Sequence, residues 1–436
     1  MIPEKVLLMR SATIIPGLIL CLLFVGCEPR QERRLTFAVG GAPAELEFWE
    51  ELLGEFRRES GIEVELMRQP TDSDQRRQGL VIPLKAGQAD PDVFLMDVVW
   101  LAQFAASRWL EPLGARMEES GLPEGVFFSR VIETADRHEG ELVALPVYVD
   151  GGLLYYRRDL LEKYGLPGPP QTWDQLIDYS LEVQAEERNT NPDFFGFVWQ
   201  GAQYEGLICN FQEIAASGGG GILVRDGEIS IDTPPNRRAL EFQRDLIHRH
   251  RISPPSTYTT MKEEEVREAF QRGNSLFERN WPYAWRLHQG EGSPVRDKVD
   301  LAPLPHFPAG TSVSTLGGWH VGISRQSDAK EESWKLLRYV VSYKTQKKLA
   351  LRLGWNPGRR DLYEDSEMLA ELPHFGRLRD VFDHLLPRPV LPYYTQVSSV
   401  IQRRLNAALS GQAPPQEALA AAEEQVRQIA RRYQPE

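Results

Sequence analysis

Two acidic residues stand at points where a predicted strand gives way to a helix. Glu45 follows the strand pattern Leu35–Val39 across the turn Gly40–Pro43, and Asp97 ends the apolar run Val93–Met96. Because open α/β sheets bind ligands outside the carboxyl ends of their strands, we expect both carboxylates to face a ligand. The alternative for each is structural: a negative charge favours a helix N-terminus, and Asp is a good N-cap.

Motifs for common catalytic chemistry are absent from the sequence. It contains no phosphate-binding loop, no Gly-x-Ser-x-Gly elbow, no His-Glu-x-x-His and no Cys-x-x-Cys pair. His248 and His250 are two residues apart on a predicted helix, so they point to different faces and predict no metal site. The glycine run Gly218–Gly221 lacks the spacing and the preceding strand of a dinucleotide loop.

The first 26 residues have the pattern of an export signal. Two basic residues precede an apolar run over 11–26, which is interrupted by Pro16 and is short for a membrane span. Such a run is typical of the core of a signal peptide. The alternative is an uncleaved anchor.

The end of the apolar run predicts lipidation. Leu23-Phe24-Val25-Gly26-Cys27 resembles a bacterial lipobox, although Phe24 stands where Leu is commoner. We therefore predict a lipoprotein signal peptide over 1–26, a lipid on Cys27 and a charged tether over 27–34. Simple secretion without a lipid is the alternative.

Cys209 is the single cysteine outside the leader region, since the others are Cys21 and Cys27. The mature chain therefore has no intramolecular disulfide. Apolar Leu207 and Ile208 beside it favour a small buried side chain over a catalytic thiol.

Composition bounds the class of protein. A length of 436 residues predicts two or three domains, and 42% hydrophobic and 26% charged residues are ordinary for a globular protein. The net charge of −12 argues against a nucleic-acid partner, because phosphate binding requires a basic face. The chain has 10 Trp, 14 Tyr and 18 Phe, most of which we expect in the core.

Strand and helix patterns alternate along the chain, which indicates α/β sheets. The predicted strands lie at 35–39, 62–66, 93–96 and 153–156. The first predicted helix follows the turn Gly40–Pro43, carries apolar residues from Leu46 to Phe56 and ends at Gly61. Further predicted helices lie at 75–85, 159–164, 173–186, 235–250, 262–272, 328–353 and 419–433. Thr172 is expected to cap the helix that begins at Trp173. Asp226-Gly227 predicts a hairpin turn between two short strands.

Several short motifs, taken together in order and spacing, resemble those of the trehalose/maltose-binding proteins of ABC importers, within the family 1 extracellular solute-binding proteins. The likeness covers essentially the whole chain after residue 34. The motifs are Gly40–Glu45, Gln75–Arg77, Pro91–Asp97, Leu145–Gly151, Leu153–Arg157, Trp199–Gly206, Glu278–Trp285, Leu316–His320, Gly354–Gly358 and Arg388-Pro389.

The resemblance implies a two-lobed α/β fold of the periplasmic-binding-protein type II, with one α/β sheet in each lobe and a ligand cleft between the lobes. It implies an N-lobe made of 35–148 and 283–323 and a C-lobe made of 149–282 and 324–436. The chain would cross between lobes near Tyr148–Asp150, near Asn280–Trp281 and soon after Trp319. No cofactor, metal or catalytic residue is implied.

The resemblance also implies which residues contact the ligand. Carboxylates accept hydrogen bonds from sugar hydroxyls, and the Arg guanidinium donates several hydrogen bonds from one planar group. Aromatic rings cover the apolar C–H faces of the sugar rings. Arg77 is an alternative to Arg76. The residues carried over are Glu45, Arg76, Asp97, Tyr148, Asp150, Trp281, Tyr283, Gly317, Gly318, Trp319 and Arg388.

Some of these residues have structural alternatives. Trp281 and Trp319 could belong to the core, but Gly, Pro and polar neighbours favour the cleft. Asp150 precedes Gly151-Gly152 and could serve a turn. Arg388 lies between two prolines and could form a surface salt bridge.

The resemblance implies a monomeric, lipid-anchored protein outside the cytoplasm that captures trehalose or maltose and delivers it to the transmembrane subunits of an ABC permease. Cleft closure by hinge rotation would accompany binding. The sequence leaves trehalose and maltose as alternatives. A protein that binds another glucoside or oligosaccharide is a second hypothesis. A secreted glycoside-active enzyme, which needs two carboxylates at a defined separation, is a third.

Overall fold

A computed structural model describes residues 34–225, 228–382 and 385–433. The predicted signal peptide, Cys27 and most of the tether lie outside these residues, as does the turn 226–227. Among the described residues, no helix combines the length and apolar character that crossing a bilayer requires.

Within the described residues, the strands form two main sheets and two short hairpins. The strands are β1 Leu35–Gly40, β2 Val64–Gln69, β3 Val93–Asp97, β4 Arg137–His138, β5 Glu141–Leu142, β6 Leu145–Gly151, β7 Leu153–Arg157, β8 Phe195–Val198, β9 Leu223–Arg225, β10 Glu228–Ser230, β11 Ser275–Asn280, β12 Val299–Ala302, β13 Ser314–Ile323 and β14 Leu385–Leu386.

The helices cover both sheets. They are α1 Pro43–Ser60, α2 Ser73–Lys85, α3 Leu101–Ala106, α4 Gly114–Ser120, α5 Ser129–Val131, α6 Arg158–Lys163, α7 Trp173–Glu187, α8 Glu205–Ala216, α9 Pro234–His248, α10 Glu263–Gln271, α11 Ala284–His288, α12 Lys330–Val340, α13 Tyr343–Leu353, α14 Ser366–Glu371, α15 Phe375–Phe382, α16 Tyr394–Leu409 and α17 Pro415–Arg431. Short 3-10 turns occupy Val98–Trp100, Glu124–Val126, Pro255–Tyr258 and Arg360–Glu364, and a π-helical turn occupies Ile132–Asp136.

The first sheet has the strand order β14-β13-β3-β1-β2, and β6 also pairs with β13. β1 runs parallel to both β2 and β3, as the alternation of strands and helices predicts. β13 runs antiparallel to β3 and β6. The second sheet has the order β12-β7-β11-β8, and β7 is antiparallel to both of its neighbours.

Helix α1 shows why the sequence folds in this way. Its apolar residues, from Leu46 to Phe56, recur at helical spacing and are buried against the first sheet, as predicted. Glu45 lies in its first turn, and Arg57 lies in its last turn, where each charge complements the helix dipole. The helix ends at Gly61, whose φ of 75° is the left-handed conformation that glycine adopts without a Cβ clash.

Several elements lie on a different sheet from the one that the expected lobe boundaries imply, and β12 and α12 are two examples. β12 lies within 283–323, expected in the N-lobe, but its backbone pairs with β7 in the second sheet. α12 lies within 324–436, expected in the C-lobe, but Leu336 and Leu337 are buried in the core of the first sheet. The chain is therefore back in the first sheet at Ser314, where β13 begins, and α12 still packs on that sheet.

Candidate functional site

The carboxyl ends of the parallel strands bring the two predicted acidic residues to one edge of the first sheet. Glu45 lies in the first turn of α1, directly after β1, and Asp97 is the last residue of β3. Each carboxylate also accepts a hydrogen bond from a backbone N–H at the start of the helical segment beside it. The Glu45 carboxylate accepts from the Ala42 N–H at 2.8 Å, and Asp97 accepts from the Val99 N–H at 3.0 Å. The structural role and the position at the sheet edge therefore coexist.

β13 extends this edge because it lies between β3 and β6. Trp319 on β13 is opposite Asp97 on β3 and Tyr148 on β6. Two residues earlier, Gly317 is opposite Asp150. Since residues opposite each other in antiparallel strands share a face, these side chains gather on the same side of the sheet.

Two glycines on β13 permit close approaches that a side chain would block. A Cβ on Gly317 would lie 3.0 Å from the ring of Trp281, so glycine lets this indole lie against the strand. Gly318 has a φ of 128°, and a Cβ there would lie 2.4 Å from the carbonyl oxygen of Tyr148. Both positions are therefore built for glycine.

These elements enclose a cavity of about 550 Å³. The structure brings together all the residues that the family resemblance predicts as ligand contacts, and their contact with a ligand stays a prediction. All the residues carried over from the family line this one cavity: Glu45, Arg76, Asp97, Tyr148, Asp150, Trp281, Tyr283, Gly317, Gly318, Trp319 and Arg388.

The structure separates the Arg76–Arg77 pair. The Arg76 guanidinium is buried in the cavity wall, where Nε donates to the Pro70 carbonyl oxygen at 2.6 Å and Cζ lies 4.4 Å from the ring centroid of Trp319. Arg77 instead donates to Gln103 and does not line the cavity. Arg76 is therefore the arginine of this pair that is positioned for a ligand.

Arg388 lies at the cavity wall as a buried bridge and not as a surface ion pair. Its Nη1 donates to Glu205 at 2.9 Å, and its Nη2 lies 3.4 Å from Asp97 and 3.3 Å from the Leu316 carbonyl oxygen. Its side chain is 3% exposed, so these carboxylates hold the charge within the protein. Its Nε is buried without a hydrogen-bond partner among the described residues.

Aromatic rings line the cavity from both sheets. The Tyr148 ring packs on the ring of Trp355, with centroids 4.2 Å apart. The Trp281 ring lies on the guanidinium of Arg279 at 4.0 Å, and the Tyr283 hydroxyl donates to Glu264 at 2.7 Å. These contacts fix the rings in place before any ligand arrives.

The surroundings of the cavity favour the protonated form of several carboxyl groups in its wall. Burial, together with the nearby negative charges of Asp97 and Glu45, raises the pKa of Asp150 to about 7. Burial likewise raises the pKa of Glu45 and that of Glu263 above their ordinary values. A sugar hydroxyl that donates to such a carboxylate would stabilise its ionised form.

Cys209 also lines the cavity, close to the charged groups around Arg388. Its side chain is 1% exposed, and burial raises the pKa of its thiol to about 12. The thiol is therefore protonated at neutral pH and is a poor nucleophile. This agrees with the prediction of a small buried side chain.

Sequence reasoning missed part of the cavity wall. Trp355 belongs to the motif Gly354–Gly358, where a tryptophan flanked by Gly and Asn gave the same signal as Trp281 and Trp319, but we did not assign it to the site. Tyr204 likewise stands within a recognised motif. Further lining residues outside the predicted set are Thr71, Asp72, Ser73, Gln75, Glu205, Gly206, Lys262, Glu263, Glu264, Glu265, Arg286, Leu287, Arg352 and Leu353.

No group of three or more metal-binding side chains occurs within the ranges that the structure describes. His248, one of the two histidines weighed for a metal site, hydrogen-bonds through Nε2 to the Leu409 carbonyl oxygen at 2.7 Å.

Comparison with known proteins agrees with this architecture. The model of the bacterial extracellular solute-binding protein family matches residues 41–347. A probable ABC transporter-binding protein of Deinococcus radiodurans is 36% identical over 376 residues, which are 85% of this chain and 88% of that protein.

Solved structures share the fold. Maltose-bound MalE3 of T. maritima is 40% identical, with a TM-score of 0.85 over 91% of this chain and 99% of that chain. A solute-binding protein of Thermotoga lettingae bound with α-D-tagatose is 28% identical, with a TM-score of 0.82 over 91% and 100% of the two chains. The chain therefore belongs to the bacterial extracellular solute-binding proteins. The predicted two-lobed α/β fold is confirmed.

Proposed function

We propose that this chain is the sugar-binding component of an ABC importer and that it binds a disaccharide, trehalose or maltose, in the cavity between the two sheets. One observation carries the proposal: a single cavity of about 550 Å³ combines carboxylates, buried arginines and tryptophan rings from both sheets. Its size lies within the range of about 300–1,000 Å³ that is usual for small-molecule sites.

The chemistry of the wall suits a neutral sugar. Glu45, Asp97 and Asp150 accept hydrogen bonds from hydroxyl groups, while the guanidinium groups of Arg76 and Arg388 donate hydrogen bonds to ring and hydroxyl oxygens. Indole and phenol rings cover the apolar C–H faces of the sugar rings. A site that pairs each hydroxyl with a fixed partner rejects a ligand that lacks that hydroxyl, because buried polar groups are then left unpaired.

Two relatives support this assignment. The Deinococcus radiodurans protein carries the name of an ABC transporter-binding protein, and the T. maritima protein is described with bound maltose. At 40% identity over nearly the whole chain, maltose is a sound first choice of ligand. Trehalose is the second candidate ligand, because both sugars consist of two glucose units.

In the proposed mechanism, the open cleft takes up the sugar, closes by hinge rotation and docks on the transmembrane subunits of the permease. The protein acts as a monomer outside the cytoplasm, tethered to the membrane through a lipid on Cys27. It performs no catalysis and uses no cofactor. The lobes correspond to the two main sheets with the helices packed on each.

Isothermal titration calorimetry with a panel of sugars tests the proposal. We expect saturable binding of trehalose or maltose, and weaker binding of tagatose, mannitol and longer glucans. Small-angle scattering should show a smaller radius of gyration at saturating sugar, since closure brings the lobes together. Binding of another class of solute alone would overturn the assignment. Release of glucose during incubation with the protein would favour the enzyme alternative.

A further inference from the structure

An ion pair joins two helix N-termini on opposite walls of the cavity. Lys262 Nζ lies 2.6 Å from the Asp72 Oδ2 atom, and both residues line the cavity. The two side chains are 41% and 20% exposed, so the pair stands where the cavity meets solvent.

Each partner is anchored to a different sheet. Asp72 caps α2 by accepting from the Gln75 N–H at 3.0 Å, and the buried residues of α2, Leu80 and Leu84, pack with the first sheet. Lys262 immediately precedes α10, whose Val266 packs with residues of the second sheet. The ion pair therefore spans the two sheets and does not merely staple one helix.

Local contacts orient both charges toward each other. The two oxygens of the Asp72 carboxylate have different partners: Oδ1 accepts from the Gln75 N–H and so caps α2, and Oδ2 accepts from Lys262 Nζ. The Lys262 ammonium also lies 5.2 Å from the ring centroid of Tyr204, which limits where it can swing. Other contacts also join the two sides of the cavity. They include the hydrogen bond from Thr395 Oγ1 in α16 to Gln103 Oε1 in α3 at 3.1 Å, and the Arg388 bridge between Asp97 and Glu205.

We propose that Asp72 and Lys262 form an ionic latch that closes the cavity over bound sugar and slows its release. This inference rests on the proposed function. If the lobes move apart to release the ligand, the pair must break, because its members belong to different sheets. The pair then stabilises the closed state alone, and a contact of that kind acts on the dissociation rate and on affinity.

A double-mutant cycle tests the latch. Asp72→Asn removes the charge but keeps a good helix cap, and Lys262→Gln removes the ammonium but keeps much of the side chain. For each single variant we expect a roughly two- to fivefold faster dissociation of maltose or trehalose and a matching rise in Kd, the range expected for a partly exposed ion pair. The double variant should resemble either single variant, because both substitutions break the same contact.

The matched control is Glu187→Gln. The Lys163–Glu187 pair has a similar N–O distance, 2.5 Å, and similar exposure, 57% and 16%, but both residues lie on the side of the second sheet. This variant should leave the dissociation rate unchanged. High salt should narrow the difference between wild type and the latch variants, since it screens an exposed pair.

Stopped-flow tryptophan fluorescence gives the rates, and thermal unfolding reports on stability. Wild-type rates in both single variants would overturn the latch, as would additive effects in the double variant. A lower melting temperature with unchanged affinity would also overturn it, since the pair would then serve stability alone. A wild-type protein that binds none of the sugars would refute the proposed function itself, and with it the latch.

Discussion

The Tyr148 and Trp355 rings lie with their centroids 4.2 Å apart, and the indole N–H of Trp355 points to the Glu45 carboxylate at 3.3 Å. Trp355 thus links the strand β6 to the N-terminus of α1 at the cavity wall. This one side chain holds both a ring and a carboxylate in place for a ligand.

We therefore expect Trp355→Ala to weaken binding of trehalose or maltose by about tenfold or more, since it removes a ring face and frees both neighbours. Calorimetry measures the change. The control is Trp285→Phe, because Trp285 packs on His374 and does not line the cavity. A folded Trp355→Ala protein with wild-type affinity would remove Trp355 from the site.

A second prediction concerns the stability cost of the Asp150 carboxylate. Burial and the charges of Asp97 and Glu45 raise its pKa to about 7, above the value of about 3.9 expected in the unfolded chain. The unfolded chain therefore loses this proton at lower pH than the folded protein does. As a result, the contribution of Asp150 to stability falls as pH rises from about 4 to about 7.

Asp150→Asn removes the charge and keeps the shape, so the variant should be more stable than wild type at pH 8, by on the order of 2–4 kcal/mol. The difference should vanish below about pH 4, where wild-type Asp150 is protonated in both states. Urea unfolding at the two pH values, without sugar, measures it. Equal stabilities at pH 8 would show that Asp150 is better solvated or better paired than its surroundings indicate.

Lipid attachment is tested at Cys27. The apolar run that ends in Gly26-Cys27 predicts that fatty acid labels the wild-type protein in the membrane fraction. Cys27→Ser should abolish the label and leave either precursor or released protein, while Cys209→Ala, at a buried thiol, should label normally. Label that persists in Cys27→Ser would refute the lipobox assignment.

The positions of Glu45 and Asp97 at the sheet edge could be predicted because they depend on short sequence patterns. Apolar runs fix the strands β1 and β3, and a polar residue directly after each run must lie at the carboxyl end. By contrast, the place of Trp355 depends on Tyr148, about two hundred residues earlier in the chain, and no local pattern encodes that contact.

The helix predictions also contain errors. We did not predict α8, in which nearly every residue is buried, including the polar residues Asn210, Gln212 and Glu213. The segment 328–353 was predicted as one helix but forms α12 and α13, and this prediction was wrong. The signal lay in Ser342, whose hydroxyl caps α13 by accepting from the Thr345 N–H at 3.2 Å.

The final prediction concerns Arg388, which contacts Glu205 and Asp97 in the cavity wall and whose buried Nε has no hydrogen-bond partner among the described residues. Arg388→Ala removes the charged donor that we predict to contact the sugar; since a hydrogen bond to a charged group contributes about 1.5–3 kcal/mol, sugar affinity should fall roughly tenfold to hundredfold. The variant should also lose stability, because Glu205 and Asp97 lose the positive charge that pairs with them in a buried wall.

Arg388→Lys separates the two roles. A lysine keeps one positive charge near Glu205 but has neither the planar fork nor the Nε donor. We expect it to recover most of the stability lost in Arg388→Ala while binding sugar more weakly than wild type. Calorimetry and thermal unfolding of both variants decide the matter: if lysine restores affinity and stability together, Arg388 acts through its ion pairs and does not contact the ligand.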